Sequence, residues 1–79
     1  MRKAIRKKIL PCYFADVKER RKNFEIRKDE DDIQAGDLLV LCEWDGKKYT
    51  GKEVSRNVKY VLRDIPEYGL AEGYCIISW

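Results

Sequence analysis

The stretch Lys22-Asn23-Phe24-Glu25-Ile26-Arg27-Lys28 reads as a β-strand, and the way its two faces point decides the fold. Successive side chains on a strand project to opposite faces. Phe24 and Ile26 therefore go one way, toward a core, while Asn23, Glu25 and Arg27 go the other. The polar row sets an acid and a base two positions apart, flanked by Lys22 and Lys28, which suits gripping an anionic, hydrogen-bonding ligand. The same charges also suit a solvated face with a local ion pair.

Downstream, Gln34-Ala35-Gly36-Asp37 is a turn into Leu38–Trp44, which is apolar on both faces at its start and reads as a central strand. Asp45-Gly46 is the two-residue signal for a type I′ hairpin. The return strand carries Tyr49, Gly51 allows a bend or bulge, and a strand from Glu53 to Leu62 follows. Arg63 to Gly73 is a long loop. Tyr74 to Trp79 closes the chain as a strand, with Tyr74 and Ile76 opposed to Cys75, Ile77 and Trp79. Upstream, Ile5 and Ile9 share a face of a first strand. Pro11 opens a helix, where its missing N–H costs nothing, and Phe14, Val17 and Tyr13 form its buried stripe to about Arg21.

The order β-α-β-β-β-β-β, without a parallel crossover rhythm, predicts an α+β, mainly β class. The expected architecture is a small, partly open barrel of five or six strands with a helix between the first two, since closure removes exposed edges. One domain spans residues 1–79, near the size at which stability is marginal. The expected core includes Ile9, Phe14, Val17, Phe24, Ile26, Leu39, Leu41, Val58, Tyr60 and Ile76.

Composition, 44% hydrophobic and 39% charged, is that of a folded soluble domain. No apolar run approaches the ~18 residues of a membrane span, and Arg6, Lys7 and Lys8 interrupt any secretory signal after Met1. Cys12, Cys42 and Cys75 are odd in number and lack histidine partners, so free thiols, a cytoplasmic location and no zinc are expected. Without histidine, a cysteine–histidine nucleophile is excluded. Asp29-Glu30-Asp31-Asp32 lacks calcium-loop spacing and reads as a solvated loop. No metal or cofactor is expected. Residues 1–28 hold eleven Lys/Arg against three acids, net +8, and residues 29–79 carry −5. Such a basic end is either a footprint for a polyanion or is neutralised by the other half in the fold.

These elements in register resemble the ASCH domain (activating signal cointegrator homology), a branch of the PUA-like superfamily of RNA-binding barrels. The resemblance rests on Lys22-x-x-Glu25-x-Arg27, Gly36-Asp37-x-Leu39, Glu43-Trp44, Tyr49-Thr50-Gly51 and Gly73-Tyr74-x-Ile76-Ile77. It spans Ile5 to Trp79, in a short stand-alone form similar to domains often encoded by phages and prophages. It implies a PUA-like barrel. Arg20 stands where the family has a glycine, which replaces close backbone approach with a cation. Bacterial ASCH enzymes that deacetylate an N4-acylated cytidine resemble this chain at Lys22 but carry threonine at the position of Glu25. They also use an acid after the fifth strand, where this chain has Asp64 and Glu67 without a matching motif.

The function expected is a non-enzymatic RNA- or nucleotide-binding module. Lys22, Glu25 and Arg27 would line its cleft, and Arg20, Arg21 and Lys28 would draw in phosphate. An arginine fork pairs with phosphate or a base edge, a carboxylate accepts from an exocyclic amine, and single-stranded bases can splay into pockets. One alternative is a small amidohydrolase on an N4-acylated cytidine-type nucleoside, with Lys22 and Glu25 as its working pair. The other is a protein–protein adaptor. The oligomeric state is not legible in the sequence.

Overall fold

The structure, a computed structural model, describes residues 2–79; Met1 lies outside them. The elements are β1 (Ala4–Ile9), α1 (Pro11–Lys18), β2 (Phe24–Lys28), β3 (Leu38–Trp44), β4 (Tyr49–Asn57), β5 (Tyr60–Arg63), a 3-10 turn (Pro66–Tyr68) and β6 (Tyr74–Ser78). The class is α+β, mainly β, with the helix between the first two strands. Among the described residues, no closed barrel is shown. The six strands form two three-stranded sheets, β1-β3-β4 and β2-β6-β5.

Three expectations about connections are corrected. β1 pairs parallel with β3, so the chain does contain a crossover, through α1 and β2. The β3–β4 connection is four residues rather than two. In it the Asp45 side chain accepts from the N–H groups of Lys47 and Lys48, which holds its carboxyl below the usual range. The expected strand from Glu53 to Leu62 breaks at Val58 and Lys59 and changes sheet there. Buried Val58 is the corner: its N–H donates to the Asp37 carbonyl at 2.9 Å and its carbonyl accepts from Gly36 at 2.8 Å. Gly51 does sit in a bulge, because Cys42 pairs with Glu53 while Trp44 pairs with Tyr49. Its φ of +94° is one that glycine adopts without strain.

The two sheets enclose a core of Ile5, Ile9, Phe14, Val17, Ile33, Leu39, Leu41, Val58, Cys75 and Ile77, with Val54, Val61 and Trp79 packed against it. β3 is central and buried along nearly its whole length, as its two-sided apolar run predicts. The reading of β2 is overturned. Phe24 is 45% and Ile26 55% exposed, whereas Glu25 is 6% exposed and points inward. Tyr60, expected in the core, is 63% exposed, and Ile76 is half-buried on the same outer face as Ile26. A one-residue change of facing moves every side chain of a strand to the other side, so these errors are one error propagated across a sheet.

Cys42 and Cys75 are buried free thiols and Cys12 is an exposed one. Burial pushes the Cys75 thiol up. Among the described residues, no helix is long and apolar enough to cross a membrane.

Asp37 locks the entry to β3. It is 2% exposed, accepts from the Gln34 N–H at 2.8 Å and the Lys3 N–H at 3.2 Å, and pairs with Lys3 Nζ at 2.9 Å. The Lys3 ammonium, then the Gln34 N–H, hold its carboxyl down to about 2. A depressed carboxylate contributes stability that is complete above its unfolded value, near 3.8, and lost as pH falls through the folded one. The urea midpoint is therefore expected to drop between pH 4 and pH 2, and Asp37→Asn should flatten that part of the profile. An unchanged slope in the variant would refute this role.

Candidate functional site

The site is built where α1 stops. Arg20 takes a left-handed φ of 64°, and the Asp16 carbonyl accepts from the N–H groups of Arg21 at 2.9 Å and Lys22 at 3.0 Å. This tight reversal ends the helix at Lys18, three residues before its expected end, and sets Lys22 against the start of β2. Lys22 Nζ bonds Glu25 Oε1 and donates to the Phe24 carbonyl at 2.7 Å. Arg27, two residues along the same face, donates from Nε to Glu25 Oε2 at 3.0 Å, and its Nη2 lies 2.9 Å from the same oxygen. Arg27 Nη2 also donates to the Lys8 carbonyl of β1. The seam between β1 and β2, where a closed barrel would carry a hydrogen-bonded ladder, is thus bridged by this guanidinium.

Glu25 lies between two cations, and the three side chains together carry one net positive charge. A buried carboxylate persists only when its lone pairs are satisfied, and here both oxygens are. Lys22 and Glu25 of the triad open onto a cavity of about 390 Å³ lined by Tyr13, Lys22, Phe24, Glu25 and Ile26, with Arg27 behind Glu25. Lys22 Nζ sits 5.0 Å from the Phe24 ring centroid and 5.6 Å from that of Tyr13, within cation–π range. Tyr13, expected in the core, is 49% exposed and forms one wall.

Of the six predicted binding residues, the fold gathers Lys22, Glu25 and Arg27. Arg21 is directed to its own helix end, paired with Asp16 at 2.9 Å and Glu19 at 3.0 Å. Lys28 alternates with Glu25 and Arg27 and so falls on the outer face of β2. Arg20 meets Arg56 instead: the Arg20 N–H, at 3.1 Å, and Arg56 Nη2, at 3.0 Å, share the Val17 carbonyl. Burial, and then the Arg20 charge, pull the Arg56 guanidinium below its ordinary value.

Only three of the eleven basic residues of the first 28 pair with the acidic half. Lys3 pairs with Asp37, Arg6 with Glu53 at 2.6 Å, and Lys7 with Glu30 and Asp31. The acidic loop is drawn apart by these pairs, since Asp29 takes a two-pronged bond from Arg63 at 2.6 and 3.1 Å. Asp64 and Glu67 do not reach the triad. Glu25 is level with Ile77, whereas Arg63 is level with Cys75 two strands away. Arg63, the last residue of β5 and the neighbour of Asp64, is therefore roughly 7 Å along and 10 Å across from Glu25 by strand spacing.

Sequence reasoning missed the walls, Tyr13, Phe24 and Ile26. A signal for Tyr13 existed: Phe14 and Val17, three apart, already fill the inner stripe of a two-turn helix. It also missed a second aromatic–cation cluster, in which Lys8 Nζ lies 4.0 Å from the Trp44 ring centroid and Tyr49 meets Trp44 edge-on at 4.9 Å. That cluster joins β1, β3 and β4, so nothing local announces it.

Among families, the one described as Domain of unknown function (DUF3850) matches residues 6–79. No curated protein matches the chain.

Proposed function

The chain belongs to the DUF3850 family, and from its own site we propose that it binds RNA or a nucleotide, without catalysis, in the cavity lined by Lys22 and Glu25, with Arg27 holding Glu25 from behind. The observation that carries this is a satisfied carboxylate between two cations, beneath two exposed aromatic rings. Tyr13 and Phe24 offer faces on which a base can stack, which is tolerant of sequence and worth about 1–3 kcal/mol per base. Glu25 Oε1, which takes only the Lys22 bond, keeps a lone pair for an exocyclic amine, and Lys22 supplies charge that favours a phosphodiester.

The ASCH resemblance is part of this reading, as are a PUA-like relationship, a phage or prophage setting and a cytoplasmic location. Support for the relationship comes from the helix between the first two strands and from the Lys-x-x-Glu-x-Arg series that leads into and along the second. The hydrolase alternative is weaker. A lysine acting as base or nucleophile needs a free electron pair, and Lys22 Nζ is engaged as a donor to both Glu25 and the Phe24 carbonyl.

Titration of short single-stranded oligoribonucleotides and mononucleotides at low salt tests the proposal. Affinity is expected to weaken as salt rises. Tyr13→Ala should reduce it by roughly 10- to 100-fold, the equivalent of one lost stack, with the fold intact. Acetate release from N4-acetylcytidine is expected to be undetectable. Binding to none of these ligands would favour the adaptor reading, and acetate release that vanishes in Glu25→Gln would establish the hydrolase.

A further inference from the structure

Glu43 is a second buried acid, and it lacks the partners that Glu25 has. It follows Leu39 and Leu41 along the inward face of β3, level with Ile9 of β1, and is 9% exposed. The Thr50 hydroxyl donates to its Oε1 at 2.6 Å, and the Thr50 oxygen accepts in turn from the Lys52 N–H at 3.3 Å, within the bulge at Gly51. These bonds hold the carboxylate in one orientation. Among the described residues, no cation pairs with Glu43 and no group donates to its Oε2. A carboxylate this deep costs stability until its charge and lone pairs are met.

We propose that Glu43 is the base-reading end of a site for a guanine nucleotide, whose phosphate is received by Lys18 and Lys52.

A cavity supplies the rest of the site. Glu43 opens onto a space of about 470 Å³ between α1 and the β3–β4 bulge, lined also by Phe14, Ala15, Lys18, Glu19 and Lys52. Glu19 is taken up by Arg21 at 3.0 Å. Lys18 and Lys52 are exposed, and neither has an ion pair among the described residues. The acid lies at the inner end, Phe14 and Ala15 form an apolar wall, and two uncommitted ammonium groups stand at the mouth. Tyr13, which lines the Lys22 cavity, lies on roughly the opposite side of the helix from Ala15 and Lys18, two and five residues on. The two cavities are separate, and the proposal stands independently of what the Lys22 cavity binds.

The charges decide the ligand. An ionised carboxylate only accepts, and it binds best to two donors side by side. Guanine presents such a pair, N1–H and the 2-amino group, on its Watson–Crick edge. Adenine and cytosine set a ring acceptor beside their amino group, and uracil flanks its one N–H with carbonyls. Each of these would turn an acceptor toward one carboxylate oxygen. Oε1 keeps a second lone pair after the Thr50 bond, so both oxygens of Glu43 can take part. A guanidinium also offers paired donors, but the two ammonium groups at the mouth repel a cationic ligand and attract a phosphate. A simple anion is turned away by Glu43 itself.

Backbone amide NMR of the full chain, titrated with guanosine monophosphate, tests it. The amides of Ala15, Thr50 and Gly51 are expected to shift and saturate. Inosine monophosphate, which lacks the 2-amino group, should saturate the same amides with a Kd at least about tenfold higher, the loss of one bond to a charged group. Glu43→Gln should raise the Kd for guanosine monophosphate by at least about tenfold, with a melting temperature no lower than wild type because an unpaired buried charge is gone. Lys18→Ala combined with Lys52→Ala should raise it about three- to tenfold and leave the Kd of guanosine unchanged. Shifts confined to the amides of Tyr13, Glu25 and Ile26 would assign the nucleotide to the other cavity and overturn this site alone. Equal affinity at Thr50 and Gly51 for the guanosine, inosine and adenosine monophosphates would overturn the reading of guanine. Tighter binding of argininamide there would overturn the ligand class. These comparisons use the wild-type chain, so they decide the matter even if Glu43→Gln does not fold.

Discussion

Leu41→Ala is expected to leave the protein largely unfolded at 37 °C. Leu41 has no exposed surface and lies at the middle of β3, opposite Lys7 on β1 and Val54 on β4. Truncating a buried leucine costs about 2–5 kcal/mol through lost transfer energy and the cavity left behind. A domain of this length has roughly 4–12 kcal/mol in total at typical per-residue stability. The melting temperature should fall by roughly 10–30 °C, since each kcal/mol shifts a domain of this size by several degrees. Ile26→Ala should change stability by no more than about 0.5–1 kcal/mol. The pair is read by thermal melts followed by circular dichroism. Equal losses at both positions would mean that β2 faces the way its hydrophobic alternation suggests and that the inverted strand is wrong.

Glu25→Ala carries the second large effect, and it acts through charge rather than volume. It leaves Lys22 and Arg27, whose side chains are only 18% and 24% exposed, facing one another without a counterion. Removing one partner from a buried ion pair costs about 3–5 kcal/mol, and partial solvent access reduces this to about 2–4 kcal/mol here. Glu25→Gln keeps one carbonyl acceptor and should cost roughly half as much. The triple replacement Lys22→Met, Glu25→Leu, Arg27→Met removes the charges together and should lie within about 1 kcal/mol of wild type, while abolishing nucleotide binding in the cavity beside Tyr13. Urea denaturation gives all three values. A triple variant as unstable as Glu25→Ala would mean that the triad is required for folding rather than retained for a ligand.

The amino-acid sequence determined the class and the centre of this protein. The run Leu38–Leu41 is apolar on both faces, and only a strand covered on both sides accommodates that; β3 is that strand. The order of elements, the helix opened by Pro11, the bulge at Gly51 and the gathering of Lys22, Glu25 and Arg27 were legible because each depends on neighbours close in the chain. The facing of β2 was not. Its alternation is apolar on one side and charged on the other, and the ordinary inference buries the apolar side. β6, with which it pairs, is apolar on both faces and so could not arbitrate. Tertiary structure decided it: compact Cys75 and Ile77 fill the core, and their register carries Glu25 and Arg27 inward with them. The inward placement is tolerable because Lys22, arriving from the helix turn, satisfies one oxygen of Glu25 and Arg27 the other, while Arg27 reaches on to the carbonyl of Lys8. The partners of the buried charge are close in the chain, but the strand that turns them inward, β6, is some fifty residues away, and no local pattern reveals that facing.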